Sequence, residues 1–87
     1  MVKSFKILIL NPAKAGRIRE LKNISGRQGF IVLEEKNKGV CESLKFTLTT
    51  KKSQETIKVN DVKIFVPLML KGKGCKVDED YKLEIEE

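Results

Sequence analysis

Eighty-seven residues make one small domain, residues 1–87, with a core too small to leave any apolar position idle. Hydrophobic residues are 40% of the chain and charged residues 34%, which describes a folded domain and not a disordered tail. Eighteen Lys and Arg against twelve Asp and Glu give a net charge of +6, and histidine is absent. The basic balance points toward an anionic partner, nucleic acid or acidic protein, although surplus lysine also serves solubility. The missing histidine excludes Ser-His-Asp and Cys-His catalysis, so an enzyme with its own active site is the least expected class.

Residues 4–10 form a short continuous apolar run, which predicts a strand buried on both faces. Its apolar centre, Ile7 to Leu10, is only about four residues, against the ~7–15 of a secretory signal, and no run reaches the ~18–20 residues that span a bilayer. A cytoplasmic location follows as the expectation, with reduced thiols, no Cys41–Cys75 disulfide and no membrane partner. Asn11 is a good helix N-cap and Pro12 fits the first helical position. Ala15, Ile18 and Leu21 then recur every three residues, predicting one main helix over 12–24 with Gly26 as its left-handed stop. Gly16 inside it would mark a close approach of helix and sheet.

Gly29 to Glu35 is rich in large and β-branched residues and predicts a second strand, followed by a polar turn over 36–39. From Leu44 the pattern alternates: Leu44, Phe46 and Leu48 on one face, Lys45, Thr47 and Thr49 on the wet one. Counting back, Cys41 falls with Ser43 on the wet face unless a bulge intervenes. In "TIKVNDVKIFV", Ile57 and Val59 share a face, Asn60-Asp61 is a two-residue turn candidate, and Val62, Ile64 and Val66 make a return strand. "PLML" is a short helical turn, "KGKGCK" a loop, and "DYKLEIEE" a last edge strand. The order strand, helix, strands gives an α+β fold: one N-terminal helix packed on a mixed, mostly antiparallel sheet.

Few groupings carry chemistry. Asp78, Glu79 and Asp80 lack the spacing of a calcium loop and predict a solvated surface. "KGKG" (Lys71 to Gly74) lacks the spacing of a phosphate loop and predicts a plain turn. Lys14, Arg17, Arg19, Lys22 and Arg27 form a basic cluster for an anion, although each helical step turns about 100° and spreads them around the cylinder. Single-stranded nucleic acid needs exposed aromatic rings to stack on, and only Phe5, Phe30, Phe46, Phe65 and Tyr81 are on offer. Cys41, at the mouth of a strand after Gly39 and near Lys36 and Lys38, is either a small buried apolar residue or a thiol of lowered pKa.

The segments "ILILNPAKAGRIREL", "GVCESLKFTLT" and "IKVNDVKIFVP", in that order over most of the chain, resemble the HesB/IscA family of A-type iron–sulfur cluster carriers. In that resemblance Cys41 occupies the first cysteine position and Phe46 the aromatic five residues on, and Asp61 replaces the usual glycine of a hairpin. The family's C-terminal Cys-Gly-Cys pair is missing, and Cys75 lies too early to replace it. An iron–sulfur site needs about four thiolates, which Cys41 and Cys75 from two subunits of a homodimer would supply if they met. The resemblance implies a HesB-like domain serving iron–sulfur cluster biogenesis or metal handling, with Cys41, and less so Cys75, as metal ligands. The residues by themselves equally allow a non-enzymatic basic binding module for an anionic partner, or a structural, oligomerising domain.

Overall fold

The computed structural model describes residues 1–21, 24–26, 29–48 and 56–87, with the backbone alone at 24–26, 29, 30 and 48. The first apolar run forms β1 (Ser4–Ile9) and ends at Asn11-Pro12, but only Phe5 and Ile7 in it are buried, so the strand has one core face and is not buried on both faces as expected. Around it assemble β2 (Ile24–Gly26), β3 (Gly29–Asn37), β4 (Val40–Leu48) and β5 (Tyr81–Glu86), in the order β2-β3-β4-β1-β5, with every ladder antiparallel. Helices α1 (Ala15–Arg19) and α2 (Val59–Gly72) complete the α+β fold.

Directly opposed residues share a face of a sheet. Ile85, Leu83 and Tyr81 oppose Phe5, Ile7 and Ile9, Cys41 opposes Ile7, and Phe46 opposes Ile31. These side chains meet Ile18 and Leu21 from the α1 region and Val62, Val66 and Leu70 from α2 in one apolar cluster. The rings of Phe5 and Phe46 lie edge to face at its centre, 5.0 Å apart and inclined at 70°. On the sheet's other face Lys6 sits between Glu42 and Glu84, and Lys36 reaches Glu42 at 3.6 Å. That arrangement of alternating charge belongs in water.

The N-terminal helix is shorter than its periodicity predicts. The Asn11 side chain does cap it, accepting from the Ala13 N–H at 3.1 Å, and a 3-10 turn (Pro12–Lys14) leads into α1. The helix stops at Arg19, and by Ile24 the chain is extended as β2, hairpinned onto β3 with Gly26 opposite Gly29. Ile18 and Leu21 complete the burial, so the apolar stripe has nothing left to cover. Nothing lies within 4 Å of where a Cβ on Gly16 would sit, so this glycine marks no close approach. The main helix is instead α2.

Alternation in β4 breaks at one residue. Val32 opposes Lys45 while Leu33 opposes Ser43, which leaves Leu44 as an extra, bulged residue. Leu44 is half exposed, and Cys41, Ser43 and Phe46 all face the core. The expected wet-face position of Cys41 is thereby reversed. Buried Ser43 compensates for the disrupted ladder: its Oγ accepts from the Phe5 N–H at 2.9 Å. A second register shift between Glu35 and Asn37 carries β3 past Lys36, so the turn is Lys38-Gly39 alone, with Gly39 at φ +82°.

The largest correction concerns "TIKVNDVKIFV", predicted as a hairpin. It runs into α2, with Val62, Val66 and Leu70 buried at helical spacing. Asn60-Asp61 is no turn. Asp61 stands three residues after Lys58 and its carboxylate accepts the Lys58 N–H at 2.8 Å, fixing the helix start. The hairpin that carries the third segment of the HesB/IscA resemblance is therefore helical here. Pro67 lies inside the helix at a half-buried position, where its missing N–H leaves one carbonyl without its intrahelical partner.

Candidate functional site

The end of α2 is built by glycine and closed by α1. Gly74 has φ +78°, a conformation that disfavours any side chain. It lets the Cys75 N–H reach back to the Leu70 carbonyl at 2.9 Å and its own N–H reach Lys71 at 3.0 Å. Of "KGKG", Lys71 and Gly72 are the last residues of α2 and only Lys73 and Gly74 make the expected turn, which stops the helix. Two remaining carbonyls receive side chains from the α1 segment: Lys14 Nζ donates to Gly74 at 3.0 Å and Arg17 Nη1 to Lys73 at 3.0 Å. Lys73 in turn reaches Glu20 at 3.0 Å. Cations complement the negative pole of a helix, so these contacts clip α1 to α2. A Cβ on Gly74 would lie 2.8 Å from Arg17 Nη1, the movable end of a long side chain, so the left-handed backbone is what selects glycine here.

The basic cluster predicted from sequence is accordingly divided. Lys14 and Arg17 serve the α2 terminus. Arg19 forms a forked pair with Glu35, at 3.0 Å from both Nε and Nη2, and that carboxylate raises the guanidinium pKa by hydrogen bonding and charge. Lys22 and Arg27 lie outside the described residues.

The segment after Gly74 is held by Asp80. Its carboxylate accepts from Asn11 Nδ2 at 2.9 Å and from the Lys76 N–H at 2.8 Å, and its carbonyl accepts from the N–H groups of Leu10 and Asn11. The Asn11 bond, then the Lys76 bond, hold the Asp80 carboxyl below its ordinary pKa against the opposing effect of burial. Asp78 and Glu79 are exposed, so the solvated-surface expectation holds for them and not for Asp80.

This clamp leaves a cavity of about 440 Å³ between α2 and the 74–81 segment, lined among others by Pro67, Lys71, Cys75, Lys76, Val77 and Tyr81. Tyr81 is fully buried, and its hydroxyl has no hydrogen-bond partner in the structure. Burial, with the neighbouring Cys75 and Asp78, pushes its pKa up to about 12. Burial and then Asp80 push the Cys75 thiol up, opposed by Lys14, Arg17 and Lys73, so this sulfur stays protonated at neutral pH. Lys71, Lys76 and Glu79 are exposed at the cavity, with Lys76 Nζ 4.0 Å from the Glu79 carboxylate. Beside it, Ile64 and Leu68 stand on α2 one turn apart and are 68% and 53% exposed, and Val77 is 47% exposed.

Cys41 lies elsewhere. It lines a separate cavity of about 80 Å³ with Arg19, Leu33 and Glu35, and shares no lining residue with the cavity of Cys75. Neither cysteine is in a disulfide, and both are buried. Among the described residues, no three Cys, Asp or Glu side chains are grouped to hold a metal ion. No described helix is long and apolar enough to cross a membrane. Phe5, Phe46 and Tyr81 are buried and Phe65 is half-buried, so the described aromatic rings form no stacking platform.

Sequence reasoning missed Lys71, Lys76 and Tyr81 as a group because a hairpin was expected where α2 stands. The pattern Val59, Val62, Val66, Leu70 was the available signal, and it leaves Ile64 and Leu68 on the far side. Comparison with family models, with curated proteins and with solved structures finds no match.

Proposed function

We propose that the chain is a non-enzymatic binding module that takes an acidic protein segment at the C-terminal end of α2. The observation that carries this reading is the apolar cavity whose exposed charged rim holds two lysines, Lys71 and Lys76, against one acid, Glu79, with Ile64 and Leu68 exposed on the same helix. The net charge of +6 favours an acidic partner over a basic one and speeds its encounter. Nucleic acid is the weaker choice, because the described aromatic rings are committed to the core. The iron–sulfur reading retains Cys41 as its matched ligand, but that thiol faces the core under the Arg19–Glu35 pair and apart from the cavity of Cys75.

The test is a titration of a fluorescein-labelled acidic peptide, followed by anisotropy at about 50 and about 300 mM salt. Binding is expected at the lower concentration and to weaken at the higher. The double variant Lys71→Glu, Lys76→Glu is expected to abolish it without unfolding the protein, since both side chains are exposed. Equal affinity at the two salt concentrations, or in the double variant, refutes the reading.

A further inference from the structure

We infer that the outer edge of β5 is a self-association surface, at which two copies of this chain pair β5 against β5, antiparallel, into one continuous sheet. The phase of the β1–β5 ladder carries the inference. The Leu10 N–H donates to the Asp80 carbonyl at 2.9 Å, while the Ile9 N–H turns the other way, to the Gly39 carbonyl at 2.8 Å. Bonded pairs recur at every second residue of an antiparallel ladder, so the main-chain groups of Lys82, Glu84 and Glu86 bond to those of Leu8, Lys6 and Ser4. The N–H and carbonyl groups of Leu83 and Ile85 therefore point away from β1. β5 is the last strand of the sheet, and among the described residues no main-chain group meets them. Neither residue lines the cavity beside α2, so the inference is independent of the acidic-partner reading.

Open edges are ordinarily blunted by proline, a bulge, an inward-pointing charge or a very short strand. β5 has none of these: six residues lie against β1 without a register shift, and Leu83 and Ile85 present half-buried apolar side chains on the core face. Only its first residue is covered, where Val77 bridges Tyr81 and the Asp78 N–H donates to the Tyr81 carbonyl at 2.7 Å. That cover, with the charges on the solvent face, selects the register. A two-fold axis at Leu83 would set Ile85 against Tyr81, whose carbonyl is already engaged. An axis at Ile85 would set Glu84 against Glu86 twice. An axis at Glu84 pairs Leu83 of each copy with Ile85 of the other, so every outward group of both residues is bonded, and it sets Lys82 against Glu86 twice. These charged pairs fall at the unbonded positions, where opposed Cα atoms approach to about 4.5 Å and side chains interact most closely. Glu84 opposes its own copy across the axis, a like-charge contact that keeps the pairing weak and reversible.

Sedimentation equilibrium of the full chain from about 10 μM to about 1 mM, in about 150 mM salt, reads the association. A monomer–dimer equilibrium is expected, with dimer evident at the upper end, as suits a small interface. Amide hydrogen exchange is expected to slow at Leu83 and Ile85 as concentration rises and to stay unchanged at Lys82 and Glu84, which β1 already holds. Lys82→Glu turns both attractive pairs repulsive and is expected to weaken the dimer at least about tenfold. Adding Glu86→Lys to it restores opposite charges and is expected to return the affinity to within about threefold of wild type. Glu84→Gln is expected to tighten the dimer about threefold. Ile85→Pro removes an N–H that the β1 ladder does not use, and is expected to leave a folded monomer by far-UV circular dichroism. The charge variants decide the matter if that variant does not fold. A chain that stays monomeric at about 1 mM overturns the inference. So does a dimer indifferent to Lys82→Glu, which places self-association on another surface, and so does one that Glu86→Lys fails to rescue.

Discussion

Val66 and Ile64 lie two residues apart and distinguish a helix from a strand. In a strand they share a face and their truncation costs alike. In α2, Val66 is fully buried and Ile64 is 68% exposed. Val66→Ala removes two methyl groups from the core, at about 0.8 kcal/mol each for transfer, and the residual cavity raises the expected loss to about 2–3 kcal/mol. Ile64→Ala removes little buried area and gains a few tenths of a kcal/mol in helix propensity, so its net effect should stay within about 0.5 kcal/mol of zero. In a domain of this size 1 kcal/mol moves Tm by roughly 4–8 °C. Urea denaturation followed by far-UV circular dichroism, with thermal melts as a check, reads both variants. Equal losses from the two truncations, or a larger one from Ile64→Ala, would refute the helical placement of this segment and with it the surface on its far side.

Other consequences follow from the α2 terminus and the clamp beside it. Gly74→Ala forces a side chain into left-handed backbone and against Arg17, and is expected to cost about 1–2 kcal/mol in urea denaturation. Asp80→Asn leaves either Asn11 or Lys76 without its acceptor, so the variant melts below wild type at pH 7. The lowered pKa of Asp80 means its contribution is present above the ordinary carboxyl range and lost as pH falls through the folded value, so the gap between the two melts should close below about pH 4. Tyr81 works in the opposite direction. Its pKa is raised to about 12, so wild type loses stability as pH rises from about 10 toward that value, and Tyr81→Phe should remove this alkaline loss. Phe46→Ala, which takes one ring of the Phe5 pair out of the core, is expected to cost about 3–5 kcal/mol in the same denaturation assay.

The elements that were legible in the sequence are those whose signals are local. The run to Leu10 closed by Asn11-Pro12 specifies β1 and the helix start, because both the cap and the missing proline N–H act within a few residues. The final segment reads as an edge strand and is one. What was not legible depends on distant partners. The bulge at Leu44 leaves no mark in the alternation of β4, and it reverses which face Cys41 occupies. The stretch after Lys58 is rich in valine and isoleucine, residues that favour strands, and its period of two coexists with one of 3.6. Tertiary burial of Val62, Val66 and Leu70 selected the helix, and Asp61 became a cap where it had read as a turn. The cavity was hidden by the same misreading: Lys71, Lys76 and Tyr81 gather only once α2 ends at Gly74 and Asp80 folds the next segment back.

Mapping the acidic peptide onto the isotope-labelled protein by amide chemical shifts is the most direct check on the proposed binding site. The largest changes should fall at Ile64, Leu68, Lys71, Lys76, Val77 and Tyr81. Changes centred on Lys6, Glu42 and Glu84 across the open face of the sheet, with the end of α2 untouched, would contradict it.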